Sequence, residues 1–160
     1  MIIIISGTPG TGKTTLAKSL AKKLGYEYIG ITKLIGKHKL AEGYDIVRKC
    51  SIVNTKKLNN VLIKLIKTAN KEKKSLIIDS HLSHNLPSKY VDLCIITKCD
   101  LKVLQKRLQK KHYSKTKIRE NLDVEIFDIC LNEAKELGHK ILVVDTTKGI
   151  DINRLIRKIK

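Results

Sequence analysis

The chain has 160 residues, a length that fits one domain able to bury about 70% of its unfolded surface. Its 33 basic and 15 acidic residues give a formal net charge of +18, a large excess that favours a polyanionic partner or an unusually basic surface. No apolar stretch approaches the roughly 18 residues of a membrane span, so we expect a cytoplasmic protein without membrane contact. The four cysteines form no C-x-x-C pair, which favours buried reduced thiols over a zinc site.

Short apolar runs bounded by turn residues predict five buried β-strands, and helical patterns lie between them. The predicted strands lie near Ile2–Ser6, Tyr26–Ile29, Ser75–Asp79, Val91–Lys98 and Lys140–Asp145. The predicted helices are Thr14–Leu24, Thr32–Leu40, Lys56–Asn70, Leu101–Lys111, Lys115–Leu137 and Asp151–Ile159. This alternation predicts a single α/β domain, with a parallel sheet and helices on both of its faces.

A phosphate-binding motif follows the first predicted strand. The segment Gly7–Thr14 reads Gly-Thr-Pro-Gly-Thr-Gly-Lys-Thr and opens a predicted helix, as a P-loop requires. Glycines let backbone N–H groups approach phosphate oxygens, the helix directs its positive end at them, and Lys13 reaches the β and γ phosphates. A dinucleotide fingerprint would need glycine at Thr15. We therefore predict an ATP or ADP site formed by Gly10, Thr11, Gly12, Lys13, Thr14 and Thr15.

A second motif places an acid at the end of an apolar strand, in the segment Leu76–His81. Asp79 has the position of a Walker B carboxylate, which orients Mg²⁺ together with the Thr14 hydroxyl. His81, two residues further on, projects to the same side of an extended backbone. It either orients a reacting phosphate or water, or is a histidine hydrogen-bonded at the strand end.

The basic residues are concentrated in two stretches, 56–74 and 101–119. The second contains no acid, and its basic residues are Lys102, Lys106, Arg107, Lys110, Lys111, Lys115, Lys117 and Arg119. Within it, 107–117 has the position of a mobile lid over ATP. Three explanations of this excess of basic residues stay open: solvated helix faces, a lysine-rich or thermophile surface composition, and contact with nucleic acid.

Five segments resemble, in order and spacing, the atypical adenylate kinase family that includes the nuclear adenylate kinase isoenzyme of eukaryotes and its archaeal relatives. They are Gly7–Thr15, Gly43–Asp45, Asp79–His81, Lys106–Tyr113 and Asn121–Phe127. The resemblance spans nearly the whole chain. It implies a nucleoside-monophosphate kinase fold with a five-stranded sheet, an AMP-binding region at 30–53 and a short lid at 110–120.

The same resemblance implies a function. Members are adenylate kinases with AMP as acceptor and ATPases that assist maturation of the small ribosomal subunit with a platform ribosomal protein, so ribosomal RNA is a candidate partner of the basic surface. On this basis we expect a monomer that uses ATP/ADP and Mg²⁺. The expected catalytic residues are Lys13, Asp79, His81, Arg107 and Lys111, and the expected metal ligands are Thr14 and Asp79.

The chain departs from the family pattern at several positions. Gly36 stands where an arginine often binds the AMP phosphate, and Lys111 where the lid usually has arginine. Lysine lacks the two-pronged contact of arginine with phosphate, and Lys37, Lys39 or Arg48 would have to replace the missing arginine. Two other functions stay open: a nucleotide-switched assembly factor, and a kinase for cytidylate or a metabolite, with base recognition around Asp145–Thr147.

Overall fold

A computed structural model describes residues 1–46 and 50–159 of the chain. Its strands are β1 (Ile2–Ser6), β2 (Glu27–Gly30), β3 (Ala41–Asp45), β4 (Cys50–Val53), β5 (Leu76–Asp79), β6 (Leu93–Lys98) and β7 (Ile141–Asp145). Its α-helices are α1 (Lys13–Leu24), α2 (Ile31–Lys37), α3 (Thr55–Lys71), α4 (Leu101–Lys110), α5 (Lys115–Ile126), α6 (Ile129–Glu136) and α7 (Ile152–Ile159). None of the described helices is long and apolar enough to cross a membrane.

Five strands form one parallel sheet in the order β2-β5-β1-β6-β7, so the predicted fold class and all five predicted strands are confirmed. The central strand β1 lies between β5 and β6. In open sheets of this kind, ligands bind at the carboxyl ends of strands where the strand order reverses. The loop after β1 and the end of β5 therefore lie side by side at the expected binding edge.

The alternation of side chains along β1 divides the core into two layers. Ile2 and Ile4 pack in the layer that contains α3, whereas Ile3 and Ile5 pack in the layer that contains α1. All four are almost completely buried. Each fully buried isoleucine contributes about 1.5–3 kcal/mol of transfer free energy to folding. The phosphate loop therefore follows a strand that is firmly anchored in the core.

The helix predicted at Lys115–Leu137 is wrong as a single helix, because α5 and α6 are separated by a break at residues 127 and 128. Asp128 adopts the left-handed conformation, with φ 53°, which a continuous helix excludes. The Asn132 side chain donates to the Phe127 carbonyl, which α5 leaves free at its end. Helical periodicity continues across this point in the sequence, which explains why one helix is predicted.

The antiparallel pair β3 and β4 is absent from the predicted elements. The side chains of residues 41–44 are exposed, so this strand lacks the apolar run by which the other strands are recognised. Its pairing is irregular between Ala41 and Gly43. Residues of the pair and of α2 line one pocket, in the region assigned to AMP from the resemblance.

Candidate active site

The P-loop leaves β1 with three glycines at positive φ: Gly7, Gly10 and Gly12. A Cβ on Gly7 would lie 2.5 Å from the Thr97 carbonyl oxygen, and one on Gly10 would lie 2.9 Å from methyl groups of Leu104 and Leu108. The loop is therefore held closely between β6 and α4. Gly12 caps α1 without a side-chain hydrogen bond, so the first N–H groups of the helix can bind an anion.

Lys13 is buried, with 9% of its surface exposed, and its Nζ donates to the Gly7 and Thr8 carbonyl oxygens at 2.8 Å each. Burial lowers the pKa of this ammonium to about 8, and the neighbouring Asp79 opposes the shift. An anionic phosphate would oppose it further, because negative charge favours the protonated form. The lysine is thus directed at the loop interior, where phosphate oxygens can replace carbonyl oxygens.

Asp79, at the end of β5, meets the first turn of α1. Thr14 Oγ1 and the Tyr28 hydroxyl both donate to Asp79 Oδ2, at 2.7 and 3.0 Å. Burial, followed by the charge of Asp79, raises the pKa of Tyr28 to about 12, so the phenol stays a donor at neutral pH. Tyr28 is a site residue that sequence reasoning missed, since its partner becomes apparent only once β2 pairs with β5.

The Thr14 and Asp79 oxygens suit Mg²⁺, which prefers hard oxygen ligands and retains several waters. Among the described residues, no group of three or more His, Cys, Asp or Glu side chains could hold a metal ion by itself. A site with two protein oxygens therefore fits an ion that takes its remaining ligands from phosphate and water.

His81 lies beside Asp79 in the same cleft, although the extended backbone predicted for it is wrong. β5 ends at Asp79, and His81 is in the turn that follows. Its side chain lines the cleft. Desolvation by the surrounding residues is the largest cause that lowers its pKa to about 4, and the positive charge of Lys13 is the next. The imidazole is therefore neutral at pH 7 and acts as a hydrogen-bonding group.

Arg107 is bound to the loop after β7. Its two terminal nitrogens donate to Thr146 Oγ1 at 3.1 Å and to the Thr146 carbonyl at 2.8 Å. Thr146 Oγ1 in turn donates to the Thr11 carbonyl, which connects α4 to the P-loop. Lys111 is exposed at the cleft, and its charge contributes to the lowered pKa of Lys13.

One open cleft of about 1320 Å³ is lined by Lys13, Thr14, Asp79, His81, Arg107 and Lys111, whereas Tyr28 is not among its lining residues. One wing lies between the P-loop, α4 and the loop after β7. The other lies against α2 and the β3-β4 pair, and includes Ile31, Thr32, Ile35, Gly36, Lys39, Ser51 and Val53. Of the three cations considered for the AMP phosphate, Lys39 lines the cleft, Lys37 is not among the lining residues, and Arg48 lies outside the described residues.

Most of the predicted nucleotide residues line the cleft, and Thr11 is the exception. It is fully buried, and its hydroxyl lies 2.6 Å from that of Thr97 and donates to the Thr8 carbonyl. Its backbone N–H also donates to the Thr8 carbonyl. Thr11 therefore stabilises the loop from behind instead of presenting its side chain to phosphate.

Glu125 is a second residue that sequence reasoning missed, although it lies in the Asn121–Phe127 segment. It is 5% exposed, and its Oε2 accepts from Thr8 Oγ1 at 2.5 Å. Its Oε1 accepts from the Cys99 backbone N–H at 2.9 Å. Both partners are distant in sequence, so the chain alone offers only the motif as a signal.

A third polar group lies beneath the His81 turn. The His84 imidazole contacts Ser6 Oγ through Nδ1 and Glu133 Oε2 through Nε2, both at 2.7 Å. Burial lowers the pKa of His84, and the Glu133 carboxylate opposes the shift. Ser6 Oγ also lies 3.3 Å from the His81 carbonyl, so this group holds the turn that carries His81.

The chain matches the family model described as an AAA domain over residues 3–128. It is 35% identical to a Methanocaldococcus jannaschii protein named "Putative adenylate kinase", over 99% of this chain and 84% of that protein. It is 32% identical to the adenylate kinase isoenzyme 6 homolog of Caenorhabditis elegans, over 84% of this chain and 72% of that protein.

Solved structures support the fold. A sugar kinase from Janibacter sp. HTCC2649 has a TM-score of 0.65 and 17% sequence identity, over 99% of this chain and 91% of the other. The two sequence relatives confirm the resemblance drawn from the sequence motifs. The chain belongs to the family of adenylate kinases that contains these archaeal proteins and the adenylate kinase isoenzyme 6 homologs of eukaryotes.

Proposed function

We propose that the protein transfers the γ-phosphoryl group of ATP to AMP. The observation that supports this most is the cleft with two wings, which meet at Lys13, Asp79 and His81. Two separate nucleotide sites on either side of one phosphate centre are what a direct transfer between nucleotides requires.

The donor wing suits ATP. The P-loop N–H groups and Lys13 would hold the β and γ phosphates, with Thr14 and Asp79 as protein ligands of Mg²⁺. The ion, when bound, would neutralise charge on the phosphate oxygens. Arg107, Gly149, Ile150 and Ile152 also line the cleft, and we infer that the base of the donor would lie beside them.

The acceptor wing suits a nucleoside monophosphate whose aromatic base packs on apolar side chains. Ile31, Ile35 and Val53 offer apolar surface, and Lys39 offers one positive charge for the acceptor phosphate. This supports Lys39 as the replacement for the family's AMP-phosphate arginine, whose position is occupied by Gly36 in this chain. A single lysine gives a weaker and less directional contact than an arginine fork, so we expect modest affinity for AMP.

The reaction needs no strong base. An AMP phosphate oxygen is already anionic, so it attacks the γ phosphorus directly while the bond to the β-bridging oxygen breaks and ADP leaves. Lys13 and Lys111 place positive charge around the transferred group, and neutral His81 orients the attacking oxygen by hydrogen bonding. Water admitted to the open cleft can attack in the same way, which supports a basal ATPase activity.

Product analysis with a panel of acceptors tests this proposal. Purified protein with Mg²⁺-ATP is given AMP, dAMP, CMP, GMP, UMP or no acceptor, and the diphosphates formed are quantified. We expect AMP or dAMP to be the best acceptor, with slower ATP hydrolysis when none is present, and Lys13→Met as the inactive control. Preference for cytidylate overturns the choice of acceptor, and ATP hydrolysis unaffected by any monophosphate favours a nucleotide-driven switch.

A second function is supported by the basic face of α4. Lys102 and Lys106 are exposed, one helical turn apart and outside the cleft lining, whereas Lys110 lines the cleft. Lys102 and Lys106 have no role in the proposed reaction, and we propose that they contact ribosomal RNA during assembly of the small ribosomal subunit. A platform ribosomal protein is a further proposed partner.

Salt dependence of RNA binding tests this second function. Each lost phosphate contact reduces the slope of log K against log salt by roughly 0.7–0.9, so Lys102→Gln with Lys106→Gln should flatten it by about 1.4–1.8 while ATP turnover persists. Lys22→Gln with Lys23→Gln, on α1, is the matched control. Equal binding by both double variants shows that the α4 charge is ordinary surface.

A further inference from the structure

The Glu125 carboxylate joins three parts of the chain. It lies in the last turn of α5, and its two oxygens accept from the Thr8 hydroxyl and the Cys99 N–H. A carboxylate that is 5% exposed is stable only when hydrogen bonds or positive charge replace its water. Here both oxygens have a neutral donor, and the Glu125 charge is one of those that oppose the lowering of the Lys13 pKa by burial.

The Cys99 contact closes the base of a helical hairpin. The chain leaves the sheet at Cys99, runs out along α4, turns at residues 111–114 and returns along α5 to Glu125. The tip of this hairpin is the proposed lid, 110–120. This hydrogen bond connects the point where the hairpin leaves the sheet with the point where it returns. Lys98 Nζ supports the same connection, since it donates to the Glu125 carbonyl oxygen at 3.5 Å and to Asp128 Oδ1.

The Thr8 contact connects the same base to the P-loop. Thr8 is 1% exposed, and its carbonyl oxygen accepts from Lys13 Nζ at 2.8 Å, from the Thr11 N–H at 3.2 Å and from the Thr11 hydroxyl at 2.8 Å. The orientation of the Thr8 peptide thus determines where Lys13 rests. Its side chain is held by Glu125, which belongs to the lid hairpin.

We propose that Glu125 is a positioning residue that couples nucleotide binding at the P-loop to the position of the α4-α5 lid hairpin. When phosphates draw Lys13 away from the Thr8 carbonyl, the change in the Thr8 peptide reaches the base of the hairpin through one buried carboxylate. This inference rests on the proposed ATP site, but it does not depend on which acceptor is phosphorylated.

Variants of Thr8 and Glu125 distinguish the hydrogen bond between Thr8 and Glu125 from the one between Cys99 and Glu125. Thr8→Val removes the donor to Oε2 at constant volume, whereas Thr8→Ser retains it. Glu125→Gln removes the negative charge and leaves one oxygen acceptor, so the Thr8 hydroxyl loses its anionic acceptor and can only accept from the new amide nitrogen. Asp123→Asn is the matched control, because Asp123 is on the same helix and pairs with Arg119 at the surface.

Two measurements test whether ATP binding at the P-loop is coupled to the position of the lid hairpin. Hydrogen exchange of the backbone N–H groups at 110–120 reports lid protection by ATP, and steady-state kinetics report KM and kcat separately. We expect Thr8→Val and Glu125→Gln each to lower ATP-induced protection at least threefold and kcat about tenfold. The double variant should lose no more than the worse single variant, because both remove the same contact. Thr8→Ser and Asp123→Asn should behave as wild type.

The proposal is wrong if the two losses add, or if Thr8→Val keeps full protection of the lid by ATP. Should Glu125→Gln fold poorly, the Thr8→Val and Thr8→Ser pair decides, since both leave the carboxylate in place. Failure of AMP phosphorylation with normal lid protection would refute the proposed reaction and leave the coupling intact.

Discussion

The two wings of the cleft are built in different ways. The donor wing rests on β1 and α1, where the glycine backbone lies against Thr97, Leu104 and Leu108 and each loop carbonyl near Lys13 has a donor. The acceptor wing rests on α2 and the β3-β4 pair, whose residues 41–44 are exposed and whose helix spans only seven residues. This contrast in burial and contacts predicts that the proposed phosphate site is more rigid than the proposed acceptor site.

The donor wing should depend on single residues most strongly. We expect Lys13→Ala to lower kcat of ATP turnover by about 10²–10³, because no other cation is held inside the P-loop among the described residues. The thermal unfolding midpoint should change little, because Lys13 is outside the two layers of the hydrophobic core and the loss of its two hydrogen bonds is offset by removal of a charge whose burial is unfavourable. A kcat within a factor of two of wild type would contradict the phosphate assignment.

His81, between the two wings, should affect the chemical step more than binding. We expect His81→Ala to lower kcat by about 10² with the ATP dissociation constant unchanged, since an orienting hydrogen bond acts mainly in the transition state. With its pKa near 4, the group contributes no titration between pH 6 and 8, so kcat should show no His81 inflection there. Loss of thermal stability with normal kcat would mean that His81 is only structural.

Substitutions in the acceptor wing should have smaller effects, which change KM for AMP and leave KM for ATP unchanged. We expect Lys39→Gln to raise KM for AMP about tenfold with KM for ATP unchanged, and Lys39→Arg to lower KM for AMP, since a fork binds phosphate more directionally. Lys37→Gln is the matched control, because Lys37 is absent from the cleft lining. Equal effects of the Lys37 and Lys39 changes would remove Lys39 from the site.

The smallest expected effect is on stability, at the polar group beneath the His81 turn. The pKa of His84 is lowered in the fold from the ordinary 6.5, so the unfolded chain binds more protons as the pH falls below 6.5. Its stabilising contribution is complete above that pH and is lost below it, by at most about 1.4 kcal/mol per pH unit. Urea unfolding at pH 7.5 and 5.5 measures the loss.

His84→Gln should make the pH dependence of the unfolding free energy shallower, because glutamine does not titrate. His81→Ala is a necessary comparison, since its lowered pKa acts in the same direction. An unchanged slope in His84→Gln would show that the imidazole titrates alike in the folded and unfolded chain.

The parts of the molecule that sequence predicts well are those with local causes. The strand β1 and the phosphate loop each follow from a few adjacent residues, and β1 lies where it is predicted. The helix caps are equally local, since the side chains of Asn54, Asp100 and Ser114 each accept a hydrogen bond from the first turn of the helix that follows. Asp79 joins the site because parallel strands end at one edge of the sheet. These features require no knowledge of distant contacts.

The parts that sequence reasoning missed have causes that are distant in the chain. Tyr28 reaches Asp79 across 51 residues, and Glu125 reaches Thr8 across 117. The exposed strand β3 carries no apolar alternation, and the left-handed Asp128 interrupts a helical pattern that is continuous in the sequence. In each case, tertiary contact determines what local propensity leaves open.

The contact of Ser6, His84 and Glu133 has the order of a hydrolase triad, with the two imidazole nitrogens exchanged. Ser6, however, has no exposed surface, and its hydroxyl lies under the turn that carries His81. An acyl substrate has no route to that oxygen. A search for serine nucleophiles by side-chain distances alone would select this protein, and fluorophosphonate labelling should leave Ser6 unmodified, because access decides whether the same three groups form a reactive centre or hold a loop in place.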